Sequence, residues 1–206
     1  RYPIMEGELW TDEERRSAVA VHDLRDGAPS HMLGCELLYC DPPWSQGKVN
    51  AFITNAGRSD YVNSFHAFML DLFRVIGAIA PRACYLEIGK QHRVDFRAGL
   101  EALFPVVQQW EITYYRKHSC YLLYGGASPV LQNYTGMDDE DTPGAVIANE
   151  RPLVVGDMCT GRGLTAVAAY RESICFLGAE LNPRKLAVAI DLVNKLGGRY
   201  ARTVPA

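Results

Sequence analysis

The chain has 206 residues, 48% of them apolar and 22% charged, and carries 21 Lys and Arg against 24 Asp and Glu for a net charge of −3. Its length and apolar share suffice to bury one sizeable core, so a single domain is expected, while the slight negative balance excludes a constitutive coat on nucleic acid. No segment approaches the ~20 uninterrupted apolar residues of a bilayer span and no secretory leader is visible, so a soluble, cytoplasmic protein is expected.

The chain opens on Arg1 rather than methionine, as if a few leading residues had been removed. Residues 1–40 are clearly acidic, and Thr11 followed by Asp12, Glu13 and Glu14 reads as the capped start of a helix over residues 11–25. The apolar run from Glu36 to Cys40 reads as a buried strand, stopped by Asp41-Pro42-Pro43-Trp44 because proline removes backbone donors and fixes φ. A carboxylate, two rigid carbonyls and an indole thus stand at a strand's carboxyl end, where open α/β sheets bind ligands. The bland alternative for the motif on its own is a Pro-Pro turn with Asp41 capping and Trp44 packed.

The polar stretch from Ser45 to Asp60 is longer than the usual connection and reads as a mobile active-site loop, with Lys48 and Arg58 placed to meet phosphate. Apolar residues at helical spacing predict a helix over Tyr61 to Ile76. A strand is predicted for Ala83 to Ile88, a helix for Val94 to Phe104, and an antiparallel pair for Trp110 to Tyr115 with Ser119 to Tyr124. Arg116 and Lys117 form the tip of that hairpin and are further candidates for nucleic-acid contact. His92 and His118 lack a second histidine at ligand spacing, so no metal site is expected. The six cysteines form no Cys-x-x-Cys pair and lie mostly in apolar runs, so reduced, buried thiols are expected.

Residues 127–152 are the nearest thing to a linker, with the acidic run Asp138-Asp139-Glu140-Asp141 and then Thr142-Pro143, a helix start with proline in its first turn. Leu153 to Met158 reads as a strand entering a turn with Gly161 and Gly163, followed by a helix over Leu164 to Tyr170. The glycines let backbone approach a ligand closely, and the helix start presents free amides. The next strand, Ile174 to Ala179, ends in Glu180, about 20 residues past the turn, where an acid can hydrogen-bond ribose hydroxyls. A last strand is predicted near Arg199 to Val204.

At these residues the chain resembles the S-adenosylmethionine-dependent amino-methyltransferases of DNA. Asp157-Met158-Cys159-Thr160-Gly161-Arg162-Gly163-Leu164-Thr165, with Gly178-Ala179-Glu180-Leu181-Asn182-Pro183, looks like that family's cofactor motif, and Asp41-Pro42-Pro43-Trp44 like its catalytic motif. The order resembles the circularly permuted subclass, with a catalytic half over 33–126, a connecting segment over 127–152 and a cofactor half over 153–206. The likeness spans residues 33–198, and residues 1–32 have no counterpart in it.

The resemblance implies an α/β, Rossmann-like fold: a doubly wound, mostly parallel sheet with helices on both faces, an antiparallel hairpin at one edge, and the two motifs on adjacent central strands. It implies catalysis by Asp41, Pro42, Pro43 and Trp44. It also implies S-adenosyl-L-methionine held by Asp41, Asp157, Met158, Cys159, Thr160, Gly161, Gly163, Leu164, Thr165, Glu180, Leu181 and Asn182. Aspartate at the first catalytic position resembles the adenine-N6 enzymes, whereas serine is more typical of cytosine-N4 enzymes. The same tetrapeptide occurs in eukaryotic messenger-RNA adenine methyltransferases, which lack so clear a glycine turn.

The implied function is adenine-N6 methylation of DNA, with cytosine-N4 methylation of DNA and adenine-N6 methylation of RNA as alternatives. A catalytically inactive, methyltransferase-like binding subunit is a further alternative. Enzymes acting on protein glutamine or small molecules usually carry asparagine at the Asp41 position. The family's lysine-proline pair before the helix at Thr142 is absent, as is any target-recognition insertion, which implies relaxed specificity or help from a homodimer or another subunit. A bacterial restriction system, a phage and a chromosomal regulatory role are equally compatible with these residues.

Overall fold

The structure, a computed structural model, describes residues 3–58 and 64–203. Its first elements correct the predicted helix over 11–25: β1 (Leu9–Asp12) and β2 (Ser17–Val21) form an antiparallel hairpin, with Leu9 opposite Ala20 and Asp12 opposite Ser17. The acids that resembled a helical first turn make the bend. Asp12 Oδ1 accepts from the Arg15 amide at 3.3 Å, and Arg16 closes the bend at φ 54°. Ser17, Ala18, Val19 and Val21 are buried between β1 and β8, and that two-sided pairing prevails over the local charge signal.

β3 (Leu37–Cys40) ends at Asp41-Pro42-Pro43-Trp44, as expected for the strand. The predicted loop from Ser45 to Asp60 is instead largely a helix, α1 (Gln46–Asn55), with Ser45 Oγ accepting from the Lys48 amide at 3.4 Å. Val49 and Ile53, one turn apart, bury its inner face; Ser59 and Asp60 lie outside the described residues. α2 (Phe65–Ile79) follows, capped by Ser64, and Tyr61 and Val62 of its predicted span also fall outside the description. β4 (Ala83–Ile88) has the predicted bounds, and α3 (Arg93–Glu101) is close to them. β5 (Val106–Tyr114) and β6 (His118–Gly126) form the expected hairpin, four residues longer in β5 than the predicted start because Val106 to Gln109 continue the pairing to Gly126.

α4 (Thr142–Glu150) begins at Thr142-Pro143, and β7 (Val154–Asp157), α5 (Leu164–Arg171) and β8 (Cys175–Glu180) reproduce the strand, turn, helix and strand of the cofactor half. α6 (Pro183–Lys195) and a short β9 (Ala201–Arg202) complete the order; Val204 of the predicted last strand lies outside the described residues.

The strands form one sheet in the order β5-β6-β4-β3-β7-β8-β2-β1-β9. Its five central strands, β4, β3, β7, β8 and β2, run parallel. Antiparallel strands flank them on both edges rather than one, because β1 and β9 extend the sheet beyond β2. Successive residues of β3 point to opposite faces. Leu38 and Cys40 join Val49, Leu72 and Phe96 of α1 to α3, while Leu37 and Tyr39 join Ile147, Ala169 and Ile190 of α4 to α6. Helices thus cover both faces of a doubly wound sheet. Four of the six cysteines are buried, and all six are unpaired thiols. Among the described residues no helix is long and apolar enough to cross a membrane.

Candidate functional site

The pairing of β3 with β7, Leu37 beside Val155 and Leu38 beside Gly156, delivers both motifs side by side at the sheet's carboxyl edge. A cleft partly open to solvent lies between them. Asp41 and Pro43 line it from the end of β3; Met158, Cys159, Gly161, Glu180 and Leu181 line it from the ends of β7 and β8.

The tetrapeptide Asp41-Pro42-Pro43-Trp44 is held by packing and hydrogen bonds. Pro42 and Pro43 are buried, and the Trp44 indole N–H donates to Asp41 Oδ1 at 2.8 Å and to the Glu87 carbonyl at 3.1 Å. The indole seats on Gly89, where a Cβ would come within 2.8 Å of the ring, and the Tyr114 ring stands 5.1 Å away at 69°. Asp41 is reached by solvent from the cleft, yet protein surrounds its carboxyl group. Burial, reinforced by the charge of Asp139, pushes its pKa up to about 7, against the Trp44 hydrogen bond and the charges of Lys185 and Lys48. Behind it, Glu87 accepts from the Tyr39 hydroxyl at 3.1 Å, and burial together with Asp41 and Asp139 raises its pKa well above the usual carboxylate range.

The cofactor motif divides into residues that face the cleft and residues that build its wall. Asp157 belongs to the wall: its Oδ1 accepts from the Cys159 amide at 2.9 Å and its Oδ2 from the Thr165 hydroxyl at 2.8 Å. Burial pushes its pKa up to about 7 despite both bonds. The Thr160 hydroxyl donates to the Asp157 carbonyl at 3.0 Å, and Asn182 caps α6 through the Arg184 amide at 2.9 Å. Leu164, at the start of α5, is 49% exposed. Glu180 faces the cleft while holding both of its ends, with Oε2 accepting from the Gly161 amide at 2.8 Å and Oε1 from the Asn182 amide at 2.9 Å. Burial raises its pKa, opposed by the Asn182 amide and Lys185.

The turn depends on glycine at two positions, since Gly161 has φ 54° and Gly163 φ 90°. A Cβ on Gly163 would lie 2.7 Å from the Ala189 Cβ, so the turn and α6 touch through the missing side chain. Gly163→Ala is therefore expected to destabilise the fold by about 1–3 kcal/mol, through overpacking and a disfavoured φ together. The urea midpoint measures it; an unchanged midpoint would contradict this packing.

Among the nucleic-acid candidates, Arg58 lines the cleft but is held by carboxylates, with Nη2 2.6 Å from Glu6 and Nη1 3.2 Å from Asp23. Asp23 also takes Arg25 at 2.7 Å; burial works against its charge, yet the Arg25 hydrogen bonds and both guanidinium charges hold its pKa below the usual value. Lys48 is exposed on α1, and Arg116 and Lys117 are exposed at the tip of the β5–β6 hairpin.

Several cleft residues escaped the sequence reading. His22 and Asp23 enter from the end of β2, a region without a counterpart in the resemblance. Phe52 on α1 and Lys185 on α6 meet across the cleft, the ammonium 3.9 Å from the ring centroid, beside a hydrogen bond from the Asn182 side-chain amide to the Asn55 carbonyl at 3.0 Å. The α1 stripe of Val49, Phe52 and Ile53 was the available signal for that contact.

No protein-family model matches the chain, and no curated protein matches it in sequence. Solved structures do. A protein of Thermus thermophilus, TTHA0409, assigned as a DNA modification methylase, shares the fold with a TM-score of 0.59 at 16% identity, over 86% of this chain and 94% of that one. M1.HpyAVI matches with a TM-score of 0.57 at 14% identity, over 85% and 97%. The cytosine-N4-specific PvuII DNA methyltransferase matches with a TM-score of 0.53 at 11% identity, over 89% and 93%. TTHA0409 has also been solved with S-adenosyl-L-methionine, and M1.HpyAVI as a SAM complex. The fold of this chain is the α/β methyltransferase fold of those proteins.

Proposed function

We propose that the chain transfers a methyl group from S-adenosyl-L-methionine to the exocyclic N6 nitrogen of adenine in DNA, as one methyltransferase domain that works as a homodimer. The observation that carries this reading is a single cleft lined by Asp41 and Pro43 on one side and by Gly161 and Glu180 on the other. The cleft suits such a cofactor. Gly161 leaves room for close approach, the apolar walls of Phe52, Ile53 and Leu181 fit a purine, and the Glu180 carboxylate keeps lone pairs for ribose hydroxyls beyond the two spent on backbone.

When bound, the cofactor supplies a methyl on a sulfonium, whose S–C electron pair returns to sulfur as the N–C bond forms. The chain's own residues must make the amino nitrogen, whose lone pair is delocalised into the ring, into a nucleophile. Asp41 Oδ1 is occupied by Trp44, which leaves Oδ2 and the Pro42 carbonyl to accept the two amino hydrogens. Those acceptors favour tetrahedral nitrogen and the positive charge that develops on it, and Asp41 then takes the released proton. Trp44, fixed by its N–H, offers the base an aromatic wall worth about 1–3 kcal/mol. Extruding the nucleotide from a duplex costs a few kcal/mol.

The fold match to a cytosine-N4-specific enzyme favours methylation of cytosine as the second reading. One experiment decides between them: incubation with cofactor and unmethylated duplex DNA, then mass spectrometry of the nucleosides. N6-Methyl-2′-deoxyadenosine is expected; N4-methyl-2′-deoxycytidine would select the second reading. Cofactor binding by calorimetry without transfer to any DNA or RNA would identify an inactive subunit.

A further inference from the structure

The β5–β6 hairpin turns through Tyr115 and Arg116, both in left-handed backbone, at φ 51° and φ 55°. The Lys117 amide closes the turn on the Tyr114 carbonyl at 3.2 Å, and its two central positions normally take Asn or Gly, because side-chain-bearing residues at positive φ cost about 1–3 kcal/mol each unless their surroundings hold them. Here the acidic run holds them. Asp139 Oδ1 accepts from the Tyr115 amide at 2.8 Å and Asp138 Oδ2 from the Arg116 amide at 2.6 Å.

Backbone pairing locks the same acids in place: the Asp139 amide donates to the Thr113 carbonyl and the Thr113 amide to the Met137 carbonyl, both at 2.8 Å. Asp138 and Asp139 are 7% and 5% exposed, so their charges are spent on the turn rather than presented to solvent. The clamped turn lies against Trp44 and the glycine turn. Tyr114 packs on Trp44, Tyr115 accepts a hydrogen bond from Arg162 of the glycine turn at 3.2 Å, and Arg116, Lys117 and His118 are exposed beside them.

We propose that Tyr115-Arg116-Lys117 is a preset contact for duplex DNA, held in shape by Asp138 and Asp139, which engages the backbone next to the extruded nucleotide. The inference rests on the reading of the substrate as DNA. Cations at a rigid tip beside the catalytic tryptophan match phosphates flanking the target base. Preset geometry also spares the ordering cost that a flexible loop would meet on binding.

The test is fluorescence anisotropy with a labelled duplex over a range of salt. In Arg116→Ala/Lys117→Ala, affinity is expected to fall about tenfold or more at low salt, with the log K against log[salt] slope shallower by about two. Calorimetric cofactor binding should be unchanged. In Asp138→Ala/Asp139→Ala, affinity is expected to fall although two negative charges are removed. Tighter binding by that variant would mean the acids merely repel DNA and would overturn the clamp. Unchanged affinity and slope in the Arg116/Lys117 variant, whose side chains are exposed and not needed for folding, would overturn the contact. Loss of RNA binding with duplex binding intact would overturn the choice of DNA. A wild-type protein that binds duplex through this turn yet transfers no methyl would sink the enzymatic reading alone.

Discussion

Asp41→Asn is expected to reduce methyl transfer by at least about 10²–10³-fold while leaving cofactor binding in place and raising stability above neutral pH. The activity loss follows from the role assigned to Oδ2, since an amide is neither a proton acceptor nor a charge that stabilises the developing ammonium. The wild-type rate should carry the same signature. With the Asp41 pKa at about 7, activity rises as pH increases through 7, because only the ionised form accepts the proton.

The stability effect has the opposite sign. A carboxylate whose pKa is 3.8 in the unfolded reference and about 7 in the fold binds more protons folded than unfolded between those values. Its contribution is therefore most favourable below the lower pKa and is lost as pH rises to the upper one. At pH 8 the wild type carries a negative charge that protein crowds but that solvent entering from the cleft partly screens, and the Asn variant does not. A gain of about 1 kcal/mol is expected at pH 8, shrinking toward pH 4, a trade of stability for function. Denaturant midpoints at the two pH values measure it. Near-wild-type transfer by Asp41→Asn would remove Asp41 from the mechanism.

The parts of this design that were legible in the sequence are those whose signal is local. β4 is a run of six buried residues, and the β7–α5–β8 unit announces itself by apolar strands around a glycine turn. The N-terminal hairpin was illegible because Thr11 to Glu14 carries a true helix-start composition, and only pairing with β8, Ala18 beside Leu177, makes a strand of Ser17–Val21. α1 was hidden by Gly47 and by its polar outer face, although the Ser45 cap and the Val49–Ile53 spacing were present.

In the site, the catalytic and cofactor motifs were readable as residue types, but the division of labour within them was not. Asp157 and Glu180 are both acids at strand ends; only the packing shows that Asp157 gives both oxygens to its own turn while Glu180 lines the cleft. In the sequence, the acidic run at Asp138 reads only as part of the linker-like segment before Thr142. Its first two acids, Asp138 and Asp139, are buried because the turn they clamp lies some twenty residues earlier in the chain, a relation that composition cannot express.

Glu180→Ala is expected to weaken S-adenosyl-L-methionine binding by about 3 kcal/mol, or roughly 10²-fold, more than one charge-assisted hydrogen bond would give. Two losses combine. The carboxylate would no longer meet the ribose hydroxyls, and the Gly161 and Asn182 amides, which it now accepts at 2.8 and 2.9 Å, would be left in a buried wall without their partner. Glu180→Gln should not rescue binding, because its amide N–H₂ must face one of those backbone donors. Since burial raises the Glu180 pKa and only the ionised form accepts at both oxygens, wild-type affinity should increase with pH through that group's titration, and the Ala variant should lose this dependence. Calorimetric titration at several pH values provides both readings, with circular dichroism as the folding control. A folded Glu180→Ala protein whose dissociation constant and pH dependence equal those of the wild type would place the cofactor away from the end of β8.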